Sequence, residues 1–212
     1  MKKLFVCLAT LFCAFSATNS QAQDVKGFFE PGAKIFWIGV DYSQAKLIND
    51  GTRNADDFVD KYFQQINELV INEPKNYKVI EAFGQSELDA DLSYVNKVNA
   101  KADPAKLHSS NLKDYSRFTE ADIQKAVKEF NFNGKKGYGV VFIVEAMNKT
   151  GKKTSVWVTG VDMGSKKVLF TERMLGDARG FGNRNYWAGS IADILKDINK
   201  KQFKAWRSKY GS

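Results

Sequence analysis

Apolar positions along this chain alternate between short runs and helical stripes, and the order of the switches predicts an α/β fold. Ala33 to Tyr42 (AKIFWIGVDY) is an apolar run bounded by Pro31-Gly32 and Ser43, the pattern of a strand buried on both faces. A polar loop through Asn49-Asp50-Gly51 follows. From Asp56 the spacing becomes helical: Phe58, Val59, Tyr62, Phe63, Ile66, Leu69 and Val70 form one stripe. Asn54 is a natural N-cap there, Asp56 and Asp57 favour the positive end of the helix dipole, and Pro74 ends the helix. Tyr77 to Phe83 (YKVIEAF), closed by Gly84, predicts a second strand, and Leu88, Leu92, Val95 and Val98 predict another helix. The stretch 102–117 is polar and holds Pro104 and the only histidine, His108, so an ordered loop is expected. Thr119-Glu120-Ala121-Asp122 is a capping box that opens a helix with Ile123, Ala126, Val127 and Phe130 on one face.

The last third has the clearest periodicity. Gly137 to Met147, Thr154 to Asp162 and Val168 to Met174 are three consecutive antiparallel strands, joined by turns at Thr150-Gly151 and Gly164-Ser165. After a glycine-rich loop, Trp187, Ile191, Ile194, Leu195 and Ile198 define the apolar face of a closing helix. The predicted order is β-α-β-α-α-β-β-β-α, a single mixed or antiparallel sheet with helices packed on it.

Met1 to Gln23 stands apart from this pattern. Lys2 and Lys3 form a positive n-region, Leu4 to Phe15 an apolar run, and small or polar residues lead to a cut near Ala22-Gln23, which together read as an export signal. The run falls short of the ~20 apolar residues that cross a bilayer. The expected plan is a signal peptide over 1–23 and one globular domain over 24–212, periplasmic or secreted. Cys7 follows Val6 and Cys13 follows Phe12, whereas a lipid-acceptor cysteine needs a small residue before it, so a soluble rather than lipid-anchored chain is expected. Both cysteines leave with the signal, which removes thiol nucleophiles, thiolate metal sites and disulfides from the mature protein.

Composition agrees with one folded domain: 43% hydrophobic and 13% aromatic residues can bury a sheet against helices, and 3 prolines argue against long linkers. Loss of Lys2 and Lys3 lowers the formal charge from +8 to +6, which fits contact with anionic head groups or acidic wall polymers as well as a merely solvated lysine surface.

The element order, with a meander turn running Val161-Asp162-Met163-Gly164-Ser165-Lys166-Lys167-Val168-Leu169, resembles the α/β domain shared by three envelope families. These are the outer-membrane activators of penicillin-binding proteins, the curli-secretion lipoprotein and the N-terminal domain of the Tol propeller protein. The resemblance covers most of Ala33 to Ile198 and lacks the anchoring cysteine of the activators and secretion lipoproteins. It implies a non-catalytic envelope module that docks onto a partner or an assembly.

The leading candidate site is Gly176 to Trp187. Arg179, Phe181, Asn183, Arg184 and Tyr186 are read as a basic-aromatic surface for an envelope protein, a glycan or an anionic polymer, because aromatics and arginine dominate binding at interfaces. The competing reading has the glycines turning the chain, Asn183 or Asn185 capping the helix, and Tyr186 and Trp187 packed in the core. The spacing G-x-x-x-G-x-G has neither the lysine and hydroxyl of a P-loop nor the order of a dinucleotide fingerprint, so no nucleotide or other cofactor is expected.

Other chemistry is weakly written. Asp89-Ala90-Asp91-Leu92-Ser93 begins like a calcium loop but has Tyr94 and Ala100 where glycine and glutamate belong, and no metal site is expected. His108 with Ser109, Ser110 and Asp114 has no nucleophile elbow, and no catalytic residue is assigned. The alternative function is a carboxylate-based envelope hydrolase acting on glycan or peptidoglycan, which requires two of Glu81, Glu145 and Glu172 to face one cleft. The tail Lys200 to Tyr210, basic with Phe203, Trp206 and Tyr210 interleaved, either touches an anionic membrane peripherally or extends the last helix and packs back on the domain. Nucleic acid is not an expected partner of an exported chain.

Overall fold

The computed structural model describes residues 23–51 and 54–211, so the export signal read over Met1–Gln23 lies outside the described residues, Gln23 apart. The strands are β1 (Ile35–Asp41), β2 (Lys46–Ile48), β3 (His108–Ser109), β4 (Tyr138–Asn148), β5 (Lys153–Asp162) and β6 (Lys167–Asp177). The helices are α1 (Val25–Phe28), α2 (55–72), α3 (Val79–Ala82), α4 (Ser93–Asn99), α5 (Glu120–Lys128) and α6 (182–210). Single 3₁₀ stretches, Pro104–Lys106 and Leu112–Ser116, flank β3.

β4 is the spine of the mixed six-stranded sheet, because its run from Gly139 to Met147 is buried throughout and so tolerates neighbours on both edges and both faces. On one edge it pairs antiparallel with β5, which pairs antiparallel with β6. Its other edge is shared by two short parallel strands, β1 along its first half and β2 along its end, with β3 parallel beyond β2. Alternation then sorts the core: Val140, Phe142 and Val144 meet α2 and α6 through Ile66, Val70, Trp187 and Ile191. Val141 and Ile143 meet α4 and α5 on the opposite face through Val95, Ile123 and Val127. The result is an α/β fold with helices on both faces of one mixed sheet.

Both long helices contain one wide turn. In α2 the π-helical stretch Phe58–Tyr62 lets the amide of Phe63 donate to the carbonyl of Phe58, so two phenylalanines five apart in sequence are both buried. In α6 the stretch Ile198–Gln202 lets the amide of Phe203 donate to the carbonyl of Ile198, with Ile198 buried and Phe203 half-buried.

The free edge of β1 is closed by side-chain amides and one backbone bridge, from Trp37 to the segment at Asp89–Ala90, rather than by a full strand. Gln85 Oε1 accepts from the Ile35 amide at 3.0 Å, and the Asp89 carbonyl accepts from the Trp37 amide at 2.8 Å. Asn67 accepts from the Val40 amide at 2.7 Å and donates to its carbonyl at 2.9 Å; Asn99 donates to the same carbonyl at 3.0 Å and accepts from the Tyr42 amide at 2.7 Å. An unpaired edge invites association with other chains, and buried amides remove it.

This explains the main correction to the sequence reading. Tyr77 to Phe83 is not a strand; Val79–Ala82 is one helical turn, because Val79, Ala82 and Phe83 sit at i, i+3 and i+4 and bury together. The position beside β1 is already filled by amides. Three further short elements lie outside the predicted order: α1 precedes β1, β2 lies in the loop after it, and β3 lies in the stretch 102–117. The Thr119 capping box is present, with Thr119 Oγ1 accepting from the Asp122 amide and Asp122 accepting from the Thr119 amide at 3.0 Å. Asn54 occupies the N-cap of α2 without a side-chain bond to its backbone.

Candidate functional site

The loop after β6 is pinned at close range to the start of α6. A methyl group at Gly176 would lie 2.2 Å from the Ser190 carbonyl oxygen, and one at Gly189 would lie 2.1 Å from the Arg179 carbonyl oxygen. The two backbones meet with no room for a side chain between them. Asp193 then fastens the loop by accepting from the Asp177 amide and from the Arg179 guanidinium, each at 3.1 Å. The Arg179 amide donates to the Tyr186 carbonyl at 3.1 Å, and the Ala178 amide donates to the Lys152 carbonyl at 2.8 Å.

This frame places the five predicted residues differently. Phe181 is 94% exposed at the N-cap of α6. Arg179 is exposed beside it, its charge partly met by Asp193. Arg184 is half-buried, with Nε donating to Asn185 Oδ1 at 3.0 Å. Asn183 is half-buried and does not cap the helix, nor does Asn185: the first turn has no side-chain cap. Tyr186 packs edge-on against the buried Trp187, with the Lys149 ammonium 4.0 Å from its ring centre. Burial, with the charge of Asp50, holds the Tyr186 phenol above its ordinary range. Arg179 and Phe181 thus form the open part of the surface, and Tyr186 its foundation.

Arg179 also borders a groove that the sequence reading did not assemble. A cavity of about 280 Å³ lies between the segment after α2 and the outer face of α6, lined by Asn76, Lys78, Arg179, Lys196, Asn199 and Lys200. Lys196 and Lys200 were detectable as an i, i+4 pair, but Lys78 lies in the stretch read as a strand.

The three carboxylates of the hydrolase alternative do not share a cleft. Glu81 is exposed on α3. Glu145 is fully buried at a bulge in β4, where its oxygens accept from the Phe118 amide (2.6 Å), Ser155 Oγ (2.8 Å), Trp157 Nε1 (3.3 Å) and Arg173 Nε (2.9 Å). Glu172 points to the other face of β6, where Lys209 and the Tyr210 hydroxyl donate to it at 2.7 Å each. Glu145 therefore holds the segment 112–118 onto the sheet, assisted by Arg117, which donates to the Glu145 carbonyl at 2.7 Å.

Near β3, Ser109 Oγ donates directly to Asp114 Oδ2 at 2.6 Å, with the exposed His108 outside that bond. Among the described residues no group of three or more histidines, cysteines or acids is arranged to hold a metal ion. The basic tail extends α6, and its aromatic residues pack inward: Trp206 is buried against Phe170, and Phe203 lies against Phe29 and Phe83. No helix among the described residues is long and apolar enough to cross a membrane. No family model, no curated protein and no solved structure matches the chain.

Proposed function

We propose that this chain is an exported, non-catalytic interaction or assembly-accessory protein of the cell envelope, and that it docks onto its partner through the surface around Phe181. The observation that carries the reading is the 94% exposure of that ring on a loop whose flanking backbone is fixed. An exposed aromatic beside an arginine, on a loop whose backbone is held at Ala178 and Arg179, is the composition of an interface anchor. The export signal read over residues 1–23 supports the envelope setting. The carboxylate arrangement supports a non-catalytic role, because Glu145 is satisfied by four donors and Glu172 lies on the other face of the sheet.

A photo-crosslinking residue placed at Phe181 of the full chain, in cells, tests this. The expected result is a discrete crosslinked product that is absent when the same residue replaces Leu112, another exposed apolar side chain. No product at either position, or the same product at both, contradicts the assignment.

A further inference from the structure

We infer that the groove beside Arg179 is a binding site for a phosphate group carried on a sugar or polyol. The inference deepens the docking reading by naming a ligand chemistry, and it rests on that reading only for the ligand's cellular source.

The groove is built from two separated parts of the chain. Asn76 and Lys78 come from the turn between α2 and α3, whereas Lys196, Asn199 and Lys200 come from successive turns of α6, and Arg179 comes from the loop before it. Four cations therefore converge on one cavity, and no acid lines it. Two acids of α6 are already ion-paired, Asp193 with Arg179 and Asp197 with Lys201 at 3.2 Å, while Glu73 keeps its charge and accepts from Asn76 at 2.9 Å. Lys78, Lys196 and Lys200 make no ion pair among the described residues. Crowding three such ammonium groups raises the local positive potential and favours an anion in the space between them.

The donor set selects the anion. Planar carboxylates are matched by the fork of arginine, yet the single arginine here already spends one terminal nitrogen on Asp193. Lysines on flexible stems act as point charges around a group whose acceptor oxygens radiate in several directions, as those of phosphate do. At about 280 Å³ the cavity exceeds a lone phosphate and approaches the lower bound of small-molecule sites. The amides of Asn76 and Asn199 offer both donors and acceptors, which suits the hydroxyls of a sugar or polyol.

The test titrates the full chain with α-glycerol phosphate by calorimetry and, in a second arm, with vesicles containing phosphatidylglycerol. Each is repeated with Lys78→Glu/Lys196→Glu/Lys200→Glu and with a control reversal at Lys97, Lys113 and Lys128. All six lysines are exposed, so folding is retained and is checked by circular dichroism. The groove reversal is expected to weaken binding at least about tenfold while the control changes it by less than about threefold, with binding weakened by added salt. Loss in the glycerol phosphate arm marks a soluble or polymer-borne phosphate; loss confined to the vesicle arm marks a lipid head group. Equal binding by wild type and the groove reversal, or binding of neither probe by wild type, overturns the site. Phe181→Ala separates the two assignments, since it is expected to leave phosphate binding intact even where it abolishes docking.

Discussion

Arg173 Nε donates to Glu145 Oε2 at 2.9 Å, and this contact ties the outer strand of the sheet to a carboxylate with no solvent exposure. The same guanidinium donates to the Tyr115 carbonyl at 2.6 Å, so one cation neutralises the buried acid and clamps the 3₁₀ segment that covers it. Arg173→Met leaves the carboxylate buried with neutral donors only. A loss of about 3 kcal/mol is expected, as when one partner of a buried pair is removed. Urea unfolding checks this, and a loss below about 0.5 kcal/mol, the scale of an ordinary surface substitution, would contradict it.

Asn67 and Asn99 both donate to the Val40 carbonyl, and their effects are therefore coupled. Each single alanine variant leaves that carbonyl one donor, whereas the double variant orphans it. Every orphaned buried group costs about 1–3 kcal/mol, so the double variant is expected to lose more than the sum of the singles. A double-mutant cycle measures the excess; simple additivity would show that the amides do not share the β1 edge.

Asp41 gives the stability a defined pH dependence. Its side chain is buried on β1, with Oδ1 accepting from the Ser43 amide at 2.8 Å, and burial holds the carboxyl above its ordinary 3.8 despite the hydrogen bonds from Ser43. Below 3.8 both folded and unfolded states hold the proton; as pH rises, the unfolded chain releases it first, and stability falls until the raised folded value is passed. Asp41→Asn removes this dependence. The variant should gain on wild type as pH rises from about 3 to 7, with the gap closing at the acid end. A gap that widens toward acid would reverse the assignment.

Gly189→Ala should disturb the candidate surface from below. Its methyl group would lie 2.1 Å from the Arg179 carbonyl oxygen, a backbone atom that moves only with the loop. A loss of about 1–3 kcal/mol, the scale of overpacking, is expected together with faster amide exchange in 177–181. Wild-type exchange in that segment would show that the contact does not hold the loop.

The sequence carried the three-stranded meander and both of its turns because long apolar runs between glycine turns admit one periodicity. Tyr77 to Phe83 admits both periods, because Tyr77, Val79 and Phe83 alternate as in a strand while Val79, Ala82 and Phe83 share a helical face, and the deciding fact lies elsewhere: Asn67, Asn99 and Gln85 fill the place of a strand. The candidate loop is visible from its glycines and aromatics, yet their arrangement is not. Whether Tyr186 faced solvent or Trp187 depended on packing, and the groove joins Lys78 to Lys196 and Lys200 across more than half of the chain. Glu145 was legible only as an acid in an apolar strand, a position that a partner such as Arg173 makes tolerable.

The docking role is tested most directly by quantitative capture from envelope extract with wild type and with Arg179→Ala/Phe181→Ala/Arg184→Ala at matched concentration. Phe181 is exposed, but Arg184 is half-buried and Arg179 pairs with Asp193, so the fold of the triple variant is checked by circular dichroism before capture is compared. A specific partner retained by wild type and reduced at least about tenfold by the variant is the predicted outcome, since hot-spot truncation costs about 2 kcal/mol or more. Recovery of the same partners in equal amounts by both proteins would contradict it.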